Sequence, residues 1–361
     1  MSEVSIPEDL KERLEAAISS VVEHDASDLY FRQGEVPRLK MNGQLWSAGD
    51  VEWSGEDLAV LWRHLGADPT NEGDRDFDCG FESPSKERFR VNLHRERGHL
   101  AAVLRRIKAD IPKLEVIGAP MKLLTDWFSR PSGLILCAGP TGSGKSTTLA
   151  ACLDWLNHHQ SRHVVTIEDP IEYLFQNEMA YFTQRAVGLD TESFASGLRS
   201  ALRQAPDVIF VGEIRDTLTA ETALQASETG HVVVATVHSS TVPETIERIT
   251  NLLPSEGREG VLKLLSKQLV GIVCQRLLPA IGEGRTLICE TMENAGATRD
   301  WIEKTDLPQI AEFLTRKENP ENIDFLSAIV SACEGGKISP ETAEASCSSP
   351  VEFRRAYRGM A

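Results

Sequence analysis

Residues 139–146 read GPTGSGKS, directly after the apolar run Leu134-Ile135-Leu136-Cys137-Ala138 and directly before Thr147-Thr148-Leu149. A buried strand, a glycine-rich turn and a helix start in that order leave few folds open. The strand must be sheltered on both faces, and the loop N–H groups and the positive end of the helix must converge on an anion. Gly142 and Gly144 permit close backbone approach, Lys145 can reach the β- and γ-phosphates, and Ser146 can set its hydroxyl on Mg2+. The pattern predicts a triphosphate cradle made of Gly139, Pro140, Thr141, Gly142, Ser143, Gly144, Lys145, Ser146 and Thr147.

Further apolar runs at 163–167, 208–211 and 231–236 join 133–138, with helical patterns between them. Such alternation implies an α/β fold, a parallel sheet wrapped by helices. Ligands of open α/β sheets lie at the carboxyl ends of the strands. Glu168 follows the second run, in EDPIE, and is expected to face the γ-phosphate or the metal. Glu213 follows the third, in VIFVGEIRD, where Gly212 stands at a position often held by Asp. That segment resembles a Walker B strand and makes Glu213 the candidate to orient or deprotonate the attacking water. The base remains open between Glu213 and Glu168. His238 ends the fourth run on the phosphate-loop edge, as a γ-phosphate sensor would. His231 stands at the opposite end of the same run, a second sensor candidate with less geometric support.

The first third reads as a smaller α+β unit. Leu10, Leu14, Ile18 and Val22 mark a helix, with a capped start at Ser5-Ile6-Pro7. Strands are expected at 29–32 and 38–41, with Asn42-Gly43 as a two-residue hairpin turn leading to 44–46. A helix at 56–65 and an antiparallel meander of 76–82, 88–95 and 100–107 follow. Residues 108–120 (KADIPKLEVIGAP) suit a linker. From about residue 261 helices are expected to dominate to the C-terminus.

Lys and Arg total 38 against 54 Asp and Glu, a net charge of −16. That field disfavours nucleic acid as a partner, the basic stretch 88–108 being the local exception. The seven cysteines are scattered singly with no CxxC pair, which argues against structural zinc and for reduced, buried thiols. No secretory leader or membrane-length apolar run is read, so a soluble cytoplasmic protein is expected.

Three segments carry a family resemblance. TIEDPIEY (166–173), LRQAPDVIFVGEIRD (202–216) and TGHVVVATVHSST (229–241) resemble the Asp box, Walker B and His box of the secretion-ATPase superfamily, and within it the PilT-like type IV pilus retraction ATPases. Ala26-Ser27-Asp28-Leu29 is similar to the family's ASDLH segment, with Tyr30 in place of His. ATRDWIEK (297–304) resembles its AIRNLIRE helix, with Asp300 and Trp301 altering the surface.

The resemblance implies a PAS-like N-terminal domain (1–108), a linker (109–120) and a RecA-like ATPase domain (121–361) with a helical C-terminal end. It implies ATP and Mg2+ as cofactors, a homohexameric ring, and an inner-membrane pilus platform protein as partner, engaged peripherally from the cytoplasmic face. It also implies that Arg90, Arg97 and Arg105 reach the nucleotide when domains close. An ATPase of type IV, conjugative or type II-like secretion is the alternative, although the tetracysteine insertion usual in the type II branch is absent. A GTPase would show NKxD, which is missing, and a small-molecule kinase leaves the His box unexplained.

Overall fold

The computed structural model describes residues 6–41, 44–107, 110–254, 257–316 and 319–359. The chain divides into two compact units, Met1–Ala109 with Glu172–Leu174, and Asp110–Ile171 with Phe175–Ala361.

The first unit runs α1 (Glu8–Glu23), β1 (Asp28–Arg32), β2 (Arg38–Met41), β3 (Gln44–Ser47), α2 (Gly55–His64), β4 (Asp76–Glu82), β5 (Arg88–Glu96) and β6 (His99–Ile107). Its strands form one antiparallel sheet of order β3-β2-β1-β6-β5-β4. The expected meander is present, and Met41 pairs with Gln44 as the hairpin requires. Asn42 and Gly43 themselves lie outside the described residues, as do Ser5 and Lys108. The start of α1 differs from expectation: Pro7 occupies the N-cap and offers no side-chain acceptor. α2 is capped properly, Ser54 and Asp57 forming a reciprocal capping box. One face of the sheet buries Leu29, Phe31, Phe89, Val91, Leu93 and Leu104 against Leu14, Ile18, Leu58 and Trp62 of the two helices.

The second unit runs α3 (Met121–Phe128), β7 (Gly133–Ala138), α4 (Lys145–His159), β8 (His163–Glu168), β9 (Tyr181–Ala186), α5 (Phe194–Ala201), β10 (Val208–Val211), α6 (Thr217–Glu228) and β11 (Val232–Val237). It continues with α7 (Val242–Leu252), α8 (Arg258–Gln268), β12 (Leu269–Pro279), β13 (Arg285–Glu293), α9 (Ala297–Lys304), α10 (Leu307–Thr315), α11 (Phe325–Glu334), α12 (Pro340–Ser346) and α13 (Pro350–Tyr357). The sheet order is β13-β12-β7-β11-β10-β8-β9, every neighbour parallel except β12 with β13. Alternate residues of the central strands feed cores on opposite faces. Leu134, Leu136, Val233 and Ala235 go to one; Ile135, Cys137, Val232 and Val234 go to the other. Strands buried on both faces read as unbroken apolar runs, hence their visibility in the sequence. Residues 110–120 form neither helix nor strand, and Leu114 is buried with Trp127 and Phe128.

After residue 261 helices dominate as expected, α8 to α13, but β12 and β13 intervene as a long antiparallel pair that completes the sheet beside β7. An apolar run such as 269–274 matches a buried helix as well as a buried strand by periodicity, and only pairing decides. Trp301 does not simply decorate the surface of α9: it is half-buried and packs on Phe313, ring centroids 5.5 Å apart.

The β12–β13 pair approaches α3 so closely that Gly271 has no room for a side chain. A Cβ there would run into the Trp127 ring, which is fully buried, and come within 2.7 Å of the Met292 carbonyl oxygen. Gly271→Ala is expected to destabilise this unit by about 1–3 kcal/mol, lowering its thermal midpoint by on the order of 5 °C. An unchanged midpoint in calorimetry would contradict that packing.

Candidate functional site

β7 delivers the phosphate loop, and three glycines shape it. Gly142 and Gly144 have φ of 78° and 88°, in the left-handed region. At Gly139 a Cβ would run into Ser143 Oγ and lie 2.7 Å from the Gln275 carbonyl oxygen of β12. α4 then begins with no side-chain cap, its N-cap being Gly144. A helix start leaves its first N–H groups without intrahelical acceptors, so the loop is built to be completed by an anion. Lys145, 8% exposed, turns its ammonium onto the loop's own carbonyls, Gly139 O at 2.8 Å and Pro140 O at 3.1 Å. Ser146 and Thr147 are half-buried in the first turn of α4, and Pro140, Thr141 and Gly142 are exposed.

The register of the sheet brings the other strand ends to this edge. Ala138 lies opposite Val237, Ala235 opposite Val211, and Val211 opposite Ile167. Glu168, Glu213 and His238 therefore emerge beside one another. Glu168 is buried at the end of β8 and accepts hydrogen bonds from Thr166 Oγ1 at 2.6 Å and Gln184 Nε2 at 3.4 Å. Glu213 is buried as well; its Oε2 accepts from Arg215 Nε at 2.6 Å, while Oε1 lies 3.6 Å from His238 Nε2. Arg215 also reaches Asp169 at 3.9 Å and lies over the Phe194 ring.

Gly212 has a direct steric reason. A Cβ there would stand 3.1 Å from Phe194, 3.2 Å from the Ile167 carbonyl oxygen and 3.3 Å from Glu168 Cα. Its N–H donates to Ile167 O at 2.7 Å, and its carbonyl accepts from Thr236 Oγ1. The β8 and β10 ends thus meet closely enough that any side chain at 212 would require its neighbours to give by a few tenths of an ångström, and the carboxylate beside them is that of Glu213.

Burial, and next the Lys145 ammonium, push the His238 imidazole below its ordinary pKa, with Arg248 and Arg215 adding to the shift and Glu213 opposing it. The charges of Lys145 and Glu213 thus both act on the His238 ring, with opposite sign. A histidine so shifted is neutral at pH 7 and can donate or accept. Since folding disfavours its protonation, its effect on stability is absent above the unfolded value of ~6.5 and appears as a loss of stability below it.

His231 is not part of this group. It stands at the start of the β7–β11 pair, where its carbonyl accepts from Gly133 N at 3.1 Å and its ring contacts Ala226 O at 2.9 Å. The arginines lie in the first unit. Arg90 and Arg105 are directly opposite each other on β5 and β6. Arg105 donates to Asp28 Oδ1 at 2.8 Å, and Arg90 lies 3.7 Å from Asp78. Arg97 is at the tip of the β5–β6 hairpin with φ of 52°, seven residues along β5 from Arg90, or roughly 20 Å at strand rise. Arg90 and Arg105 are neighbours across one strand pair, and Arg97 lies apart from them at the hairpin tip.

Sequence reasoning gave no role to Arg215, Gln184, Gln275 or Asp28. Arg215, two residues beyond Glu213, could have been suspected from GEIRD. The two glutamines come from strands that only folding brings near. Asp28 is 3% exposed yet bonded to Arg105 and Ser27, which explains an acidic residue inside an otherwise buried strand start.

The electrostatic grouping has a direct check. Lys145→Ala is expected to raise the His238 pKa, and Glu213→Gln to lower it, each read from the His238 ring signals in an NMR titration. Shifts of the opposite sign, or none, would separate these residues.

Residues 94–317 match the family model described as Type II/IV secretion system protein. The chain is 35% identical to the type IV pilus ATPase PilU of Pseudomonas aeruginosa, over 94% of this chain and 90% of that protein. It is 37% identical to the type IV pilus retraction ATPase PilT of the same organism, over 79% and 83%. A crystal structure of the pilus retraction motor PilT with bound ADP superposes with a TM-score of 0.85 at 38% identity, covering 96% of this chain and 98% of that one. With the family model across most of the second unit and these relatives across nearly the whole chain, the protein belongs to the Type II/IV secretion system protein family, among the type IV pilus ATPases PilT and PilU.

Proposed function

We propose that this protein is a Mg2+-dependent ATPase whose hydrolysis cycle drives type IV pilus retraction. Its parts would be a PAS-like domain at 1–108, a connecting segment at 109–120 and a RecA-like domain at 121–361 with helices at its C-terminal end. The observation that carries the reading is the convergence of Lys145, Glu213 and His238 at the carboxyl ends of adjacent parallel strands. The pilus retraction ATPases to which it is similar supply the biological setting.

ATP would enter the uncapped start of α4, and Lys145 would exchange the carbonyls of Gly139 and Pro140 for phosphate oxygens. Among the described residues no cluster of three or more His, Cys, Asp or Glu side chains could hold a metal alone. Ser146 is the protein ligand we assign to magnesium, with phosphate oxygens and water completing the shell, as is usual for this ion; the metal would neutralise charge developing on the phosphates. Glu213 has Oε2 committed to Arg215, which leaves Oε1 to orient water and take its proton. Glu168, held by Thr166 and Gln184, is the other carboxylate that could do so. Neutral His238 would bond the γ-phosphate and report its loss. Arg90 and Arg105 are the cations we assign to the triphosphate on domain closure.

Among the described residues no helix is long and apolar enough to cross a membrane. We place the protein in the cytoplasm as a homohexamer docked on the inner-membrane platform of the pilus machine.

Lys145→Ala is expected to abolish ATP binding or turnover with the thermal midpoint retained, and wild-type turnover would remove the phosphate-loop assignment. Glu213→Ala should bind ATP normally and hydrolyse it about a hundredfold or more slowly. If Glu168→Ala alone stops hydrolysis, the base is Glu168. Deletion of the gene should leave cells hyperpiliated; loss of pili points to assembly, and intact pili with a secretion defect points to a secretion machine.

A further inference from the structure

Glu290 is a buried carboxylate on β13 for which the hydrolytic site has no use. It is 6% exposed, and its Oε1 accepts the Val242 N–H at 2.6 Å while its Oε2 accepts the Phe325 N–H at 3.2 Å. These are the first residues of α7 and α11, so one carboxylate sits at the positive ends of two helices. The side-chain caps of the two helices reach only their third N–H, and Glu290 takes the first N–H of both. α7 has Thr241, whose hydroxyl accepts from Glu244 N, and α11 has Asp324, whose carboxylate accepts from Ser327 N at 3.1 Å. Glu290 thus complements both caps and joins the two helices.

What it joins matters. α7 opens directly after the segment 238–241, which begins at His238. α11 begins the group of helices that continues through α12 and α13. Between them, β13 is fixed to β12, with Cys274 opposite Glu290 and Gln275 opposite Cys289. Gln275 is itself fully buried; its Nε2 donates to Thr148 Oγ1 of α4 at 2.9 Å, and its carbonyl forms the wall behind Gly139. Neighbouring positions of one strand pair thus hold the phosphate-loop helix, the start of α7 and the start of α11. Burial pushes the Glu290 carboxyl up to about 7, the two backbone donors and Arg276 pulling it down and Asp324 pushing it up. An apolar residue would avoid that desolvation cost but would leave the two buried N–H groups without an acceptor.

We propose that Glu290 is a coupling residue that transmits the nucleotide state at the end of β11 to α11 and the C-terminal helices. The proposal rests on the reading of residues 139–146 as a nucleotide site. When the segment carrying His238 adjusts to the γ-phosphate, the start of α7 moves with it, and a carboxylate bonded to both helices must carry α11 along or release it. The longer bond, to Phe325, is the one that yields.

The test is hydrogen exchange on the full chain, wild type and Glu290→Gln, with and without a non-hydrolysable ATP analogue and Mg2+, nucleotide affinity being measured separately with a fluorescent analogue. In the wild type, analogue binding is expected to alter exchange both at 239–245 and at 324–328. The amide of Glu290→Gln can accept one backbone N–H and must present a donor to the other. Its response at 239–245 should persist, and the response at 324–328 should vanish over a basal exchange raised about tenfold. The backbone pair between Thr291 and Ile323 still ties the start of α11 to β13, so the fold is expected to survive. Glu290→Asp, which keeps the charge but shortens the reach, should also lose the 324–328 response. The proposal is overturned if either variant responds at both segments like the wild type, or if 324–328 is silent in the wild type. A wild-type chain that binds no nucleotide removes the phosphate-loop reading and this one with it, and the affinity measurement tells that case apart.

Discussion

The register of four neighbouring parallel strands is what everything else in the second unit depends on. β7, β11, β10 and β8 pair so that their carboxyl ends finish nearly level, Ala138 against Val237 and Val211 against both Ala235 and Ile167. These strands have both faces buried, so a slip by one residue would exchange the two cores and is strongly opposed. A register held by core packing therefore sets the positions of Gly139, Glu168, Glu213 and His238, four residues far apart in sequence. Site geometry and core packing are one constraint.

Within that frame, close approach decides residue type. Gly139 is backed by the Gln275 carbonyl, and Gly212 is enclosed by Phe194, Ile167 and Glu168. The second enclosure lies directly before Glu213, which Arg215 and His238 flank. β12 and β13 add the other side of the site, and the buried polar groups Gln275 and Glu290 connect it to α4, α7 and α11. Buried polar groups of this kind are costly unless their partners are met, so they specify particular positions for the helices they bond.

The first unit shows the same dependence of side-chain placement on strand geometry. Its basic stretch is not a uniform positive surface. Arg90 and Arg105 are opposed across the β5–β6 ladder, Asp28 anchors Arg105, and Arg97 is carried to the hairpin tip. Strand rise alone separates the tip from the pair, whatever the unit later meets.

How much of this could be read beforehand follows from the range of the interactions. The phosphate loop, the central strands and the meander of the first unit were legible because glycine spacing, unbroken apolar runs and alternation are local signatures. Glu168, Glu213 and His238 could be placed because a strand end is a sequence position and the fold class puts strand ends on one edge. β12 and β13 were not legible, since residues 269–274 suit a buried helix equally well until a partner strand is present. Gln275, Glu290 and Gln184 were hidden for a related reason: an isolated polar residue in an apolar run carries no mark of what it will bond. The sequence alone determined the chemistry available at the loop, through backbone freedom and charge at fixed spacing. Only the tertiary structure decided which distant side chains share that site, left His231 outside it and bound it to the C-terminal helices, because those outcomes depend on contacts between segments that local sequence does not encode.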